Sequence, residues 1–373
     1  MGQSLLARAA SSSVLGPARL ARLALVLVLG LGLAGCGDDG GVGPGEDATS
    51  GGPDACVGLQ CMQVTCPGGG TTSLSGKVYA PNGTLPLYNA IVYVPNEPVD
   101  AFIPGATCDR CDEELSGSPV VKTTTGTDGT FTLANVPVTS ELPLVIQIGK
   151  WRRIVRIPTV TMCADTPLDA AVTRLPKNKT EGDIPQMART TGGADALECM
   201  LRKIGLDDSE FTAAGGAGRV HLYTGSGGTP RFAANLNGGA AFADAQTLWD
   251  SVDHLKAYDV VFLSCEGGQN PATKPADARS AMGAYTDLGG RVFMSHWHNY
   301  WIQQGPPTWQ QTTTFNFQAD LGTVTADVDT SFPRAADMAK WLVNVQASTV
   351  EGKIPLSDAQ HTVTSVDTGA AER

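Results

Sequence analysis

The sequence predicts a multidomain chain, an all-β antiparallel sandwich followed by an α/β domain built on a parallel sheet. Three observations predict it. Short β-type runs separated by Gly, Pro and Asn-Gly or Asp-Gly turns fill residues 71–175. From residue 185 onward the pattern changes to helix and strand in alternation, with strands apolar on both faces, the mark of a sheet covered on both sides. The 373 residues include 44 Gly and 23 Pro, are 42% hydrophobic and only 17% charged, a composition of many turns around short apolar runs.

Taken from the N-terminus, residues 1–35 carry Arg8, Arg19 and Arg22 and no acid, then the run Leu23 to Leu33. That run is about a dozen residues, short of the roughly 18 to 20 that span a bilayer, and it ends in small residues, so it reads as a signal peptide. Leu33-Ala34-Gly35-Cys36 resembles the bacterial lipobox. The resemblance implies cleavage before Cys36, lipid on Cys36, and a membrane partner through that anchor. Gly37 stands where an Asp would favour inner-membrane retention, so the expected location is the bacterial cell envelope, at the outer membrane. Cleavage leaves 23 basic and 37 acidic residues, a net charge of −14, which an anionic bilayer repels and a tether would hold in place. Residues 36–70, rich in Gly and Asp and carrying a Cys cluster, are expected to be that tether.

The formal charge of the whole chain is −11, and Lys150-Trp151-Arg152-Arg153 is its one basic block. Nucleic acid is excluded as a partner on that ground, since phosphate neutralisation by clustered Lys and Arg supplies most of such affinity. With Cys36 assigned to lipid, Cys56, Cys61, Cys66, Cys108, Cys111, Cys163, Cys199 and Cys265 remain. An even count outside the cytoplasm suggests disulfides of open connectivity, with Cys265 a candidate to stay out of them; Cys108-Asp109-Arg110-Cys111 also has the spacing of a zinc knuckle or a redox pair.

In residues 71–175 about seven short strands are expected: Leu74–Tyr79, Ala90–Val94, Thr130–Leu133, Leu142–Ile148 and Ile154–Ile157 among them. Gly76-Lys77-Val78, Pro81-Asn82-Gly83, Ala90-Ile91-Val92, Thr127-Asp128-Gly129-Thr130-Phe131 and Asn135-Val136-Pro137 stand in the order of the carboxypeptidase regulatory-like domain, a transthyretin-like sandwich, which this stretch resembles. The resemblance implies an accessory module that binds a ligand, with carbohydrate as the candidate. Sugars dock on exposed aromatic rings, so Tyr79, Tyr88, Tyr93 and Trp151 are the candidate binding residues; as core or edge residues of the sandwich they would bind nothing.

Lys177 to Asp183 reads as linker before the second domain, 185–373. Helices are expected over Asp195–Ile204, around Leu248–Leu255, over Ala276–Leu288 and over Ala335–Val345; strands over Arg219–Tyr223, Asp259–Ser264 and Arg291–Ser295. Three parallel strands are few for such a sheet, so the domain is expected to be a shortened one. In this architecture the loops that follow the strands share one edge, where ligands bind. They are Thr224–Gly228, Cys265–Gly268 and His296–Trp301. Cys265 beside His296 or His298 would make a nucleophilic pair, and His296 with His298, two apart, would share a face and could hold a metal. Against these stand structural roles: a strand-end Cys as a small buried hydrophobe, an aromatic loop as a packed lid. Thr224–Gly228 lacks the third Gly of a dinucleotide fingerprint and the Lys-Ser/Thr of a P-loop, and no cofactor is expected.

Tyr258 to Leu263 with Gly267-Gly268, then Leu288 to Phe293, is similar to class I glutamine amidotransferase-like chains of the flavodoxin-like architecture, and to their trehalose-utilisation-type branch, where His replaces the nucleophile. Met294-Ser295-His296-Trp297 occupies the place of the amidotransferase nucleophile and carries no Cys. The whole therefore reads as a lipid-anchored envelope binding protein rather than an enzyme. Its alternatives are a thiol- or metal-dependent hydrolase at Cys265, His296 and His298, and a purely structural surface protein.

Overall fold

A computed structural model describes residues 56–108, 115–317, 320–331 and 333–367. Cys36, Cys111 and the signal-peptide and lipobox segments lie outside them. The described chain has an antiparallel β region followed by an α/β region with a parallel sheet.

Seven strands build the first region: β1 (Ser73–Lys77), β2 (Ile91–Pro95), β3 (Pro119–Thr124), β4 (Thr130–Ala134), β5 (Leu142–Ile148), β6 (Trp151–Ile157) and β7 (Asp165–Pro167). They form a three-stranded sheet, β4-β1-β7, and a four-stranded sheet, β3-β2-β5-β6. Strand β4 shows why: Thr-Phe-Thr-Leu-Ala alternates exposed and buried, so Phe131 and Leu133 face the core between the sheets. The Asp128-Gly129 turn carries the chain from one sheet to the other rather than closing a hairpin. The tight hairpin is β5–β6, turned by Gly149-Lys150 with Gly149 at φ 54°.

A correction concerns residues 56–70. Leu59 packs on the sandwich core, Val138 N–H donates to Met62 O at 2.8 Å, and a disulfide joins Cys66 to Cys163, so this stretch is fastened to the sandwich rather than solvated. A second disulfide, Cys56–Cys61, staples its first turn. Disulfides are therefore present; Cys108 and Cys199 are free and exposed, against the expectation of pairing, while Cys265 is free and buried, in line with its expected exclusion.

In the second region β8 (Met187–Thr190), β9 (Phe211–Ala213), β10 (Val220–Thr224), β11 (Ala243–Asp244), β12 (Val260–Leu263) and β13 (Arg291–Met294) form one parallel sheet in the order β11-β10-β8-β12-β13, with β9 also on β10. Six strands stand where three were expected. The central one, β8, was invisible because Met-Ala-Arg-Thr lacks a β-branched run and carries an Arg. One face is covered by α3 (Gln246–Trp249), α4 (Val252–Leu255) and α5 (Ala276–Asp287), which follow α1 (Ala170–Thr173) and α2 (Met200–Lys203) in the chain. On the other face Met187, Val220 and Leu222 pack with Leu201, Phe211 and Phe232. Beyond α6 (Tyr300–Gln303) and α7 (Pro307–Gln310), two antiparallel pairs, β14 (Thr313–Phe315) with β17 (Val363–Val366) and β15 (Val324–Asp327) with β16 (Lys353–Leu356), flank α8 (Pro333–Asn344).

The two regions are joined by specific polar contacts. Lys150, at the β5–β6 hairpin tip, is buried with its Nζ 2.7 Å from Asp259 Oδ1 and donating also to the carbonyls of Ile103 and Gly105. Asp259 closes the arrangement by accepting Gln186 N–H at 2.6 Å, which aligns the starts of β8 and β12. From α8, Trp341 Nε1 donates to Pro86 O at 2.9 Å and Tyr88 Oη donates to Asp337.

Candidate functional site

All strands of the parallel sheet end at the same edge, and four loops meet there: 191–195 after β8, 224–228 after β10, 265–270 after β12 and 295–299 after β13. They interlock through backbone contacts. Ala194 N–H donates to Cys265 O at 3.0 Å, and a Cβ on Gly192 would stand 2.2 Å from that same oxygen, so only glycine lets the first loop cross the third. Glu266 Oε1 accepts Ser226 N–H at 3.1 Å and so ties the glycine-rich second loop to the third.

At the centre of this edge Cys265 Sγ lies 3.8 Å from His296 Nδ1. Gly267 N–H donates to the sulfur at 3.5 Å, a contact that favours negative charge there. Asp195, which sequence reasoning missed, holds the two halves together: its Oδ2 accepts Cys265 N–H at 3.2 Å and the Ser295 hydroxyl at 2.5 Å. Its position in the loop after an unrecognised strand is why it was missed. Burial holds the His296 imidazole below its usual range while the Asp195 charge opposes this, so at neutral pH the ring is uncharged and able to accept a proton. His296 also adopts φ 31°, a left-handed backbone that costs a non-glycine residue roughly 1 to 3 kcal/mol and that clusters at functional sites.

This finding corrects the expectation that the chain is not an enzyme. A buried cysteine hydrogen-bonded to a neutral histidine on a strained turn is a plausible catalytic dyad. Cys265 is 1% exposed, so its sulfur is covered in this structure.

His298 does not join the dyad. It is buried, its Nε2 lies 2.8 Å from Ser264 O, and its Nδ1 accepts the Trp301 indole N–H at 3.2 Å. Both ring nitrogens are spent, and burial pushes its pKa down to about 4. A shared metal with His296 is thereby ruled out for this geometry, and among the described residues no three His, Cys, Asp or Glu side chains gather as a metal site. Next to Cys265, Glu266 forms a fully buried ion pair with Lys274 at 2.5 Å. The Glu266 carboxylate also borders a cavity of about 240 Å³ shared with Ser226, Gln246 and Trp249.

The aromatic candidates of the sandwich are dispersed into structural roles. Tyr93 is fully buried with its hydroxyl donating to Ser116 O at 3.1 Å, and so offers no ring face to a sugar. Trp151 is half-buried against two cores and donates its indole N–H to Pro176 O at 3.0 Å. Tyr88 is tied to Asp337, and Tyr79 is half-buried in bridges to Pro86 and Arg174.

Neither a protein-family model nor a curated protein sequence matches the chain. Among solved structures, it is similar to chains of two type II cohesin–X-dockerin complexes from Acetivibrio cellulolyticus, a C-terminal and an N-terminal interface mutant. Identities are 15% and 12%, over 36% of this chain and 86% and 85% of theirs, with TM-scores of 0.19 and 0.20. A likeness of that size carries no argument about this chain.

Proposed function

We propose that this chain is a thiol-dependent hydrolase acting at the C-terminal edge of its parallel sheet, with Cys265 as nucleophile and His296 as general base. The contact of Cys265 Sγ with His296 Nδ1 carries the reading. The imidazole takes the thiol proton, and the thiolate attacks an acyl carbonyl carbon, whose π pair moves to oxygen. Collapse of the tetrahedral adduct expels the leaving group, which takes the proton from the imidazolium. Water, deprotonated by His296, then cleaves the thioester and restores the thiol. Asp195 acts as a positioning residue, since it touches the backbone of Cys265 and the hydroxyl of Ser295 and leaves the sulfur free.

The sequence likeness to class I glutamine amidotransferase-like chains lends Cys265 no role, since Met294-Ser295-His296-Trp297 stands in the place of their nucleophile, so the assignment rests on the contact of Cys265 with His296. The lipobox-like Leu33–Cys36 supports a location at the bacterial cell envelope, and the carboxypeptidase regulatory-like pattern supports an accessory role for the sandwich, with envelope carbohydrate as its candidate ligand.

Alkylation tests the dyad without a known substrate. Iodoacetamide should modify Cys265 in the native protein at neutral pH, mapped by peptide mass spectrometry, and His296→Ala should slow that reaction at least tenfold. Hydrolysis of a p-nitrophenyl ester panel should fall at least 100-fold in Cys265→Ala, in line with the loss of a nucleophile. Equal alkylation rates with and without His296 would remove the reading.

A further inference from the structure

The parallel sheet has a second end, where its strands begin, and the dyad does not use it. There Gln186, Arg219 and Asp259 stand immediately before β8, β10 and β12. They line a cavity of about 430 Å³ together with Lys150 of the β5–β6 hairpin and residues 101–104 of the sandwich. Small-molecule sites have volumes of this order, roughly 300 to 1,000 Å³.

Most polar groups of the wall are already spent. Lys150 Nζ gives its three donors to Asp259 Oδ1 and the carbonyls of Ile103 and Gly105, and Asp259 Oδ2 accepts Gln186 N–H. Asp183 is paired with Arg152 at 2.8 Å. His221 spans Gly216 O, 3.0 Å from its Nε2, and the Tyr258 hydroxyl, 2.9 Å from its Nδ1. Arg219 is what remains. Its Nε is buried without a partner, its Nη1 meets Gln186 Oε1 only at 3.5 Å, and among the described residues no carboxylate pairs with its guanidinium. Glu210, outside this wall, gives its oxygens to the backbone N–H of Lys179 and of Arg219 itself. A buried N–H left unpaired is uncommon and marks a place where an acceptor is missing.

The rest of the wall is apolar. Ile103 is 71% exposed, Ala101 and Pro104 beside it are exposed as well, and Ile184 and Pro185 continue the lining. The loop that carries Ile103 is fastened on both sides. Lys150 holds the carbonyls of Ile103 and Gly105, and Ala106 N–H donates to Lys256 O at 2.9 Å. Gly105, at φ 79°, lies so close to that oxygen that a Cβ would stand 2.2 Å from it. Fixed backbone therefore presents a contiguous apolar surface at the opening of a polar-rimmed cavity, the pattern of a ligand groove.

We propose that this cavity binds a small carboxylic acid as its monoanion, with the carboxylate on Arg219 and an apolar body against Ile103, Pro104 and Ile184. A guanidinium fork matches a carboxylate with two parallel hydrogen bonds. Each acid of the wall already faces a base, so the one unpaired cation suits a single negative charge better than the nearly two of a phosphate monoester. The site lies at the end of the sheet opposite Cys265 and does not depend on the dyad.

The probe is 4-phenylbutanoate and the control its uncharged counterpart 4-phenylbutanamide, each titrated by calorimetry into the full chain. The acid should bind about tenfold or more tightly than the amide, the effect of one charge-assisted pair. Arg219→Met should fold and lose that discrimination, binding acid and amide alike. Ile103→Asp sets a like charge at the opening on a side chain that stands outside the core, so it should keep the parent melting temperature and weaken the acid several-fold. The proposal is overturned if the acid does not bind, if the amide binds as tightly, or if either folded variant keeps the acid's full affinity. Should Arg219→Met fail to fold, Ile103→Asp decides alone.

Discussion

Residues 73–175 and residues 187–367 both enclose apolar cores, yet they leave different polar remainders. In the sandwich, buried polar groups find partners: Thr125 Oγ1 accepts from Ala90 N–H and donates to Leu87 O, and Arg152 bonds Asp183 and Asp100 O. Among the described residues, the buried polar side-chain atoms that lack a partner fall almost wholly beyond residue 185, with Thr107 the exception. They include three nitrogens of Arg189 on β8, Oε2 of Glu198 beyond the loop that follows β8, and Oγ of Ser264 just after β12. Buried polar groups without a protein partner are uncommon in folded chains, so their concentration in the second region marks it as the place to look for a ligand.

The contrast is sharpened most by cutting what holds each region. Removing the Cys66–Cys163 bridge, which spans 97 residues, with Cys66→Ala and Cys163→Ala should cost about 4 to 5 kcal/mol on the loop-closure estimate. Urea denaturation reads the loss, and little change in midpoint would mean that the sandwich core alone suffices. In the second region Lys274→Met strands a buried Glu266 carboxylate and should cost about 3 kcal/mol or more. Adding Glu266→Leu should recover most of it, because the penalty belongs to the unpaired charge; no recovery would mean that the Ser226 and Asn270 bonds to Glu266 matter more than its charge.

Acid should act on the second region in particular. The His298 pKa is depressed to about 4 from the usual 6.5, because burial outweighs the opposing pull of Glu266 and Asp195, and the nearby Lys274 charge adds to the depression. A depressed histidine binds its proton more readily in the unfolded chain, so its stabilisation is complete above pH 6.5. It should decline by about 1.4 kcal/mol per pH unit towards 4 and level off below. His221 and His296 are lowered by burial too and act in the same direction. A His298 imidazole that titrates near 6.5 by NMR would break this account. The smallest effect is expected where the regions meet: Tyr88→Phe removes the bond to Asp337 and should cost about 1 kcal/mol or less, read as a small shift in melting temperature.

What was legible in advance follows the same division. Alternation in Thr130–Ala134 and the runs at Leu142 and Ile154 marked the sandwich strands, because half-buried antiparallel strands write their two faces into the sequence. The helix at Ala276–Asp287 and the strands on either side of it were equally plain. Met187–Thr190 was not, since its strand conformation comes from pairing on both sides with β10 and β12 rather than from its own propensity. Of the site, Cys265 and His296 were legible as residues after neighbouring strands. Asp195 was hidden with β8, and His298 looked equal to His296 although its two nitrogens are consumed inside the fold.

Sequence by itself determined the order of a β region and an α/β region, the loops that share an edge, and the chemistry types available there. Periodicity, turn residues and composition are local, and these properties follow from local rules. Tertiary structure alone decided which cysteines pair, that Arg189 lies buried without an acceptor, and that Cys265 meets His296 across 31 positions of chain. Each of those depends on strand order and register, which bring together residues whose separation along the chain carries no trace of their contact.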